Sequence, residues 1–194
     1  MTAETRSLLR TLPSLSGQAP SLDLEALPDD PFALFGEWFD IARQADVPEP
    51  HAMTLATVDL DGVPDARVLV LKDVDERGWA FASTRSSTKG AQLHARPHAA
   101  LTFWWQPIVR SVRVRGRVLE APRAESLADL RARSAAAQDG VDADDWRLWR
   151  VVPDRVEFWQ GSADRRHVRI VFVRQEDEWR RVEHGDHPHG NMTR

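Results

Sequence analysis

The stretch "RVLVLK" sets Arg67 and Lys72 at the two ends of four branched aliphatic residues, Val68, Leu69, Val70 and Leu71. Two cations at the ends of an otherwise apolar strand suit an anionic ligand. Further on, "SSTKG" brings Thr88 and Lys89 to the start of a short helix, where free backbone N–H groups and the helix dipole favour a negative charge. A phosphate would fit there. Residues 67 and 72 are an odd number apart, so regular alternation aims their side chains to opposite faces. A site that uses both needs a twist, a bulge or a ligand that reaches around the strand end. The alternative is a strand covered on both faces, whose terminal charges mark where it emerges into water.

The elements that must position these residues follow from periodicity and turn chemistry. Residues 1–29 read as an N-terminal arm, because 11–31 are rich in Pro, Ser, Leu and Asp without sustained periodicity. Asp30 is a natural N-cap and Pro31 suits the first helical position. Phe32, Phe35, Trp38, Phe39 and Ala42 then recur at helical spacing, so this helix buries an aromatic face. Residues 52–72 read as a hairpin around "DLDG", and "DVDERG" turns the chain into the strand "WAFAST". Ser86 and Ser87 offer capping hydroxyls for a short helix that Pro97 stops. "AALTFWW" and "SVRVRGRVLE" are two more strands, the second alternating Val with Arg so that one face is apolar and the other cationic. A helix is expected over residues 123–137, then strands in "DRVEFWQG", "HVRIVFVR" and "EWRRVEH". The fold class is mainly β with short helices: an antiparallel barrel of six to seven strands forming one domain over 30–183, with 184–194 as a flexible tail.

Composition narrows the function. The 194 residues carry 26 basic and 30 acidic side chains, a net charge of −4, so any anion site is local and neither nucleic acid nor a membrane surface is an expected partner. There is no cysteine, which excludes disulfides, thiolate nucleophiles and cysteine-ligated metal centres. "MTAETRSLLRTLPSLSG" has no apolar run of signal-peptide length, and a cytoplasmic protein is expected. His184, His187 and His189 could hold zinc or nickel, but a polar, glycine-containing chain end reads as a tail, and no metal is assigned. Phe103, Trp104 and Trp105 alternate faces and are expected to fill core and interface. Arg113, Arg115 and Arg117 form a solvated or cofactor-facing stripe, and Asp59, Asp61 and Gly62 are turn residues.

"RVLVLK", "GWAFAST" followed by "SSTK", "TFWW" followed by "VRVRG", and above all "VEFWQGSADRRHVR" occur in an order that resembles the pyridoxine/pyridoxamine 5′-phosphate oxidases, FMN enzymes with a split-barrel fold. The similarity runs from about Leu27 to Trp179 with one gap. The resemblance implies that the strand from Arg67 through Val68, Leu69, Val70 and Leu71 to Lys72 helps bind FMN, with Lys72 also near the substrate phosphate. It implies that Ala82 and Ser83 run past the flavin and that Thr88 and Lys89 occupy the positions that grip the FMN phosphate. Ser111 stands where a glutamine ordinarily touches the flavin. Trp159 and Arg169 match flavin contacts supplied by the second subunit of a homodimer. Arg165 and His167 match the pair that faces the pyridoxal ring, and Lys72 and Arg133 complete the implied substrate set. The implied reaction passes a hydride equivalent from the carbon bearing the amine or alcohol to FMN, with molecular oxygen as the final acceptor and hydrogen peroxide released. His167 is expected to orient the substrate rather than act as acid or base.

The departures bear on substrate. Thr88 replaces a basic residue of the phosphate-gripping pair, and Ser111 replaces the glutamine. In "DLRARSAAAQDG", Arg133, Gln138 and Gly140 match the family's substrate helix, while Asp129 replaces a tyrosine and Ala137 a serine. A carboxylate there repels a phosphate at close range. The segment between this helix and "EFWQG" is also shorter than usual. Three readings follow: a vitamin B6 oxidase, a flavin oxidase acting on another metabolite, and a catalytically idle flavin-binding dimer. The intact "RRHVR" favours the first.

Overall fold

The computed structural model describes residues 2–182. Glu183, the 184–194 tail and its histidines lie outside them.

A helix the sequence did not announce, α1 (Ala3–Thr11), opens the arm and buries none of its side chains. The next, α2 (Pro31–Gln44), starts as the sequence predicts: the Asp30 carboxylate accepts from the backbone N–H groups of Phe32 and Ala33 at 3.2 and 3.3 Å. Its buried face carries Phe35, Trp38 and Ala42, together with Leu34, while Phe32 and Phe39 lie half-buried at its edges.

The remaining chain makes strands β1 (Ala52–Val58), β2 (Pro64–Asp75), β3 (Gly78–Thr84), β4 (His98–Trp105), β5 (Arg110–Glu120), β6 (Trp146–Gln160), β7 (Val168–Gln175) and β8 (Glu178–Val182). The sheet order is β3-β2-β1-β4-β5-β6-β7-β8, all neighbours antiparallel, and β3 also pairs with β6. That second pairing closes six strands into a barrel, and β7 and β8 extend it beyond the count read from sequence. Trp79, Phe81, Phe103, Trp105, Phe158 and Phe172 fill the interior, and α2 stoppers it with Trp38. Trp104 is half-exposed between its buried neighbours, as strand alternation requires.

β6 serves two partners along one edge. Residues 146–151 pair with β3 and residues 155–160 with β7. Between them, Gly116 of β5 faces Pro153 and Arg115 faces Arg155, which leaves Asp154 as an extra residue. Pro153 lacks an N–H, and it sits where the strand changes partner and no donor is needed on that edge.

Two expectations need correction. The aliphatic run of β2 is not covered on both faces: no residue of β2 is fully buried, and Val68 is 70% exposed. The helix expected over 123–137 is two, α4 (Arg123–Ala132) and α5 (Ala135–Gln138), because Arg133 and Ser134 are extended, with ψ at 158° and 152°. The break has a tertiary cause. The Arg133 guanidinium lies 4.4 Å over the Trp146 ring, and Gln138 Nε2 donates to the Arg133 carbonyl at 2.7 Å in place of a helical N–H.

Candidate functional site

Arg67 and Lys72 do not share the main cleft: Lys72 lines it, at an irregularity of β2, and Arg67 does not. In the β2–β3 ladder Leu71 faces Phe81 but Asp73 faces Ala80, so Lys72 is the extra residue. Lys72 lines a cleft of about 530 Å³ together with Leu69, Val70, Ala82, Ser83, Lys89 and Arg133, and with Trp146 and Ala137. Seven residues singled out from sequence as ligand contacts thus meet in one place.

The cation at the helix start is prepared for an anion. Helix α3 (Thr88–Ala95) is capped by Ser87, whose Oγ accepts from the Gly90 N–H at 3.2 Å and donates to the Thr84 carbonyl at 2.7 Å. Ser86, the other expected cap, instead bonds Asp145 through its N–H and its hydroxyl. A Cβ on residue 90 would lie 2.2 Å from the Arg85 carbonyl oxygen, so only glycine lets this helix start so close to the preceding loop. Lys89 makes no ion pair among the described residues. Burial, and then the charge of Arg67, hold its pKa below the usual lysine value. Arg67 itself is braced outside the cleft by Thr57 Oγ1 at 2.5 Å, Gln92 Oε1 at 3.1 Å and Asp65. Two cations gathered with too little negative charge fit a phosphate.

The opposite wall is of mixed charge. Asp129 Oδ1 lies 3.8 Å from Lys72 Nζ, and its Oδ2 accepts from Trp146 Nε1 at 2.9 Å. Trp146 was not singled out from sequence. It opens β6 eight residues before the strand expected there, and Pro153 hid that first half.

Ser111, Trp159 and Arg169 form a second surface with Thr102, Trp104, Arg113 and Glu157, around a hollow of about 310 Å³. Glu157, only 8% exposed, accepts from Arg169 at 2.7 Å, Arg113 at 2.9 Å and Arg155 at 3.3 Å. Burial raises its pKa, and the charges of Arg113 and Arg169 outweigh that, so the carboxyl stays below its ordinary value of 4.5. Its stabilising effect is therefore complete above pH 4.5 and lost as pH falls through the lowered value. Glu157→Gln is expected to cost about 3 kcal/mol at pH 7. In melting curves the gap to wild type should narrow only below pH 4.5; a gap constant down to pH 3 would mean that Glu157 does not carry this charge.

His167 extends the second surface. Its ring lies 5.1 Å from that of Trp159, and its Nδ1 accepts from the Ser162 N–H at 3.0 Å, leaving Nε2 to donate outward when the ring is neutral. Arg165 is exposed, with φ at +65°, a conformation costly to any residue with a Cβ. Neither lines the main cleft, and Thr88 and Val68 are exposed. Leu71 lines a separate apolar hollow under α2.

Residues 39–160 match the family model described as pyridoxamine 5′-phosphate oxidase, and 146–183 match the pyridoxine 5′-phosphate oxidase C-terminal dimerisation region. The chain belongs to the pyridoxamine 5′-phosphate oxidase family. Membership makes it an oxidoreductase built on that family's barrel. It is 40% identical over 185 residues to a pyridoxine/pyridoxamine 5′-phosphate oxidase of Thermosynechococcus vestitus, covering 79% of this chain and 88% of that one. The enzyme of the same name from Pseudomonas fluorescens is 38% identical over 79% of this chain and 87% of its own. Among solved structures, PhzG from Burkholderia lata, in complex with tetrahydrophenazine-1-carboxylic acid, superposes with a TM-score of 0.78 at 24% identity, covering 86% of this chain and 98% of that one. A pyridoxamine 5′-phosphate oxidase-related, FMN-binding protein from Nostoc punctiforme superposes at 0.61 and 17% identity, covering 81% and 98%. Both establish the barrel fold.

Proposed function

We propose that this chain is an FMN-dependent oxidase that converts pyridoxine or pyridoxamine 5′-phosphate to pyridoxal 5′-phosphate, working as a cytoplasmic homodimer. The observation that carries the reading is the half-buried Lys89, which feels the charge of Arg67 and has no ion pair among the described residues, in one cleft with Lys72 and Arg133. Lys89, the α3 N-terminus and Arg67 would hold the FMN phosphate, with Thr88 at the helix start and Val68 to Leu71, Ala82 and Ser83 along the cofactor. FMN, when bound, would supply a two-electron acceptor for the hydride equivalent leaving the amine- or alcohol-bearing carbon, with oxygen as the final acceptor and hydrogen peroxide as its product. Lys72 and Arg133 hold the substrate's anionic end. Ser111, Trp159 and Arg169 reach the flavin from a second copy of the chain, and Arg165 and His167 from that copy orient the substrate ring. His167 donates from Nε2, since its Nδ1 is already occupied by the Ser162 N–H. These groups fix the reacting carbon against the acceptor and need not exchange protons with it.

A second reading, oxidation of a different metabolite, is favoured by one observation: Asp129 neutralises Lys72 where a substrate phosphate is expected. The two separate in one cuvette. Protein loaded with FMN is mixed anaerobically with pyridoxamine 5′-phosphate. Bleaching of the oxidised flavin band, with peroxide formed in equal amount on readmitting air, supports the B6 reading. A stable spectrum with bound flavin transfers the case to another substrate, and no flavin binding removes both.

A further inference from the structure

The irregular strand segment at Lys72 and the helix that carries Asp129 are tied to one side chain. Arg150 lies on β6 between Ala80 of β3 and Leu119 of β5, and its side chain is 7% exposed. Its Nη2 donates to Asp73 Oδ2 at 2.7 Å and to Glu125 Oε2 at 3.2 Å, and its Nη1 donates to Asp75 Oδ1 at 3.0 Å. Asp73 directly follows the bulged Lys72, and Glu125 lies one helical turn before Asp129 on the same face of α4. Arg77 adds a second link, from Nη2 to Asp75 at 2.6 Å and from Nη1 to Glu125 at 2.8 Å. Helix α4 is also held to β6 by Ser126, whose Oγ accepts from the Leu148 N–H at 3.0 Å. That contact fixes the helix to the strand but does not reach β2.

We propose that Arg150 is a positioning residue that sets the width of the substrate cleft, although it lines none of it. One planar guanidinium joins the strand wall at Asp73 to the helix wall at Glu125, and Lys72 and Asp129 face each other one residue and one turn beyond these anchors. The flavin-phosphate end, built from Lys89, Arg67 and α3, shares no residue with this network. A loosened clamp therefore changes substrate affinity and leaves cofactor affinity alone. An ammonium cannot replace the fork, because it cannot span three carboxylates in one plane. The inference rests on the oxidase reading for its substrate, and not for its geometry.

Removal of the arginine leaves three carboxylates facing one another and risks the fold, so the test uses its partners as well. In FMN-loaded protein, Asp73→Asn and Glu125→Gln are each expected to raise KM for pyridoxamine 5′-phosphate about fivefold, with kcat within about twofold and the FMN dissociation constant unchanged. The double variant should be little worse than either single one, since both release the same clamp. Arg150→Lys should reproduce the KM rise. Hydrogen exchange gives a second readout that needs no substrate: amides of α4 should exchange about tenfold faster in both variants, while those of α3 do not change. If wild type does not turn over pyridoxamine 5′-phosphate, the B6 reading fails and exchange alone decides the clamp. Wild-type KM and wild-type α4 exchange in both variants, or exchange raised equally in α3 and α4, overturns it.

Discussion

Lys89→Met is expected to weaken FMN binding about a hundredfold, the loss of roughly 2–3 kcal/mol that one charge-assisted contact to a phosphate contributes. Methionine keeps the unbranched stem and removes only the cation. In the flavin-free protein that cation is poorly accommodated: burial and the neighbouring Arg67 depress its pKa, and it makes no ion pair among the described residues. The same substitution should therefore leave the flavin-free fold as stable as wild type or slightly more so. Opposite effects on cofactor affinity and on melting temperature separate a binding residue from a structural one. Flavin fluorescence quenching gives the first and calorimetry the second. A change in FMN affinity below about threefold would place the phosphate elsewhere and would leave the α3 N-terminus without a role.

Asp129→Asn is expected to act in the opposite sense, lowering KM for a phosphorylated substrate about tenfold. The carboxylate sits 3.8 Å from Lys72 Nζ and is 13% exposed, so it both cancels that cation and repels a dianion nearby. At such a distance the Coulomb energy in a partly screened site is about 4 kcal/mol, and solvent around the lysine leaves about a third of that, enough for tenfold. Asparagine still accepts the Trp146 N–H, so the Trp146 and Arg133 stack is retained. Steady-state kinetics with pyridoxine 5′-phosphate and with unphosphorylated pyridoxine reads the effect, because only the first should improve. Equal changes for both would mean that Asp129 shapes the cleft without choosing its charge.

Much of this was legible in the sequence, for local reasons. Asp30 and Pro31 announced α2, and Ser87 announced α3, because caps act within one turn. The odd spacing of Arg67 and Lys72 put them on opposite faces of a regular strand, and only Lys72 lines the main cleft. Arg67, Lys72, Thr88 and Lys89 stand out in the sequence as charges and a hydroxyl beside apolar runs or at a helix start, whereas the other candidate residues rest on the family resemblance. What stayed hidden depends on partners distant in sequence. Trp146 and Arg150 lie on the half of β6 that Pro153 disguises, and only the change from β3 to β7 at that point makes the proline harmless. The break after Ala132 lies in an alanine-rich run that would prolong a helix, and only the ring of Trp146 draws Arg133 out of it. Val68 looked like core because its neighbours are aliphatic, and strand geometry alone cannot say whether a second surface covers it.

The long sixth strand carries Trp146 of the main cleft near one end and Trp159 of the second surface near the other. The thirteen residue steps of extended chain from one to the other span roughly 40 Å, too far for one copy to close both surfaces on one flavin. In the proposed dimer each centre thus draws its two halves from two separate copies of the chain. A cell carrying one copy damaged at Lys89 and another damaged at Arg169 would assemble mixed pairs with one doubly broken centre and one intact centre. Two inactive alleles would then complement each other, whereas two lesions in a single copy would not.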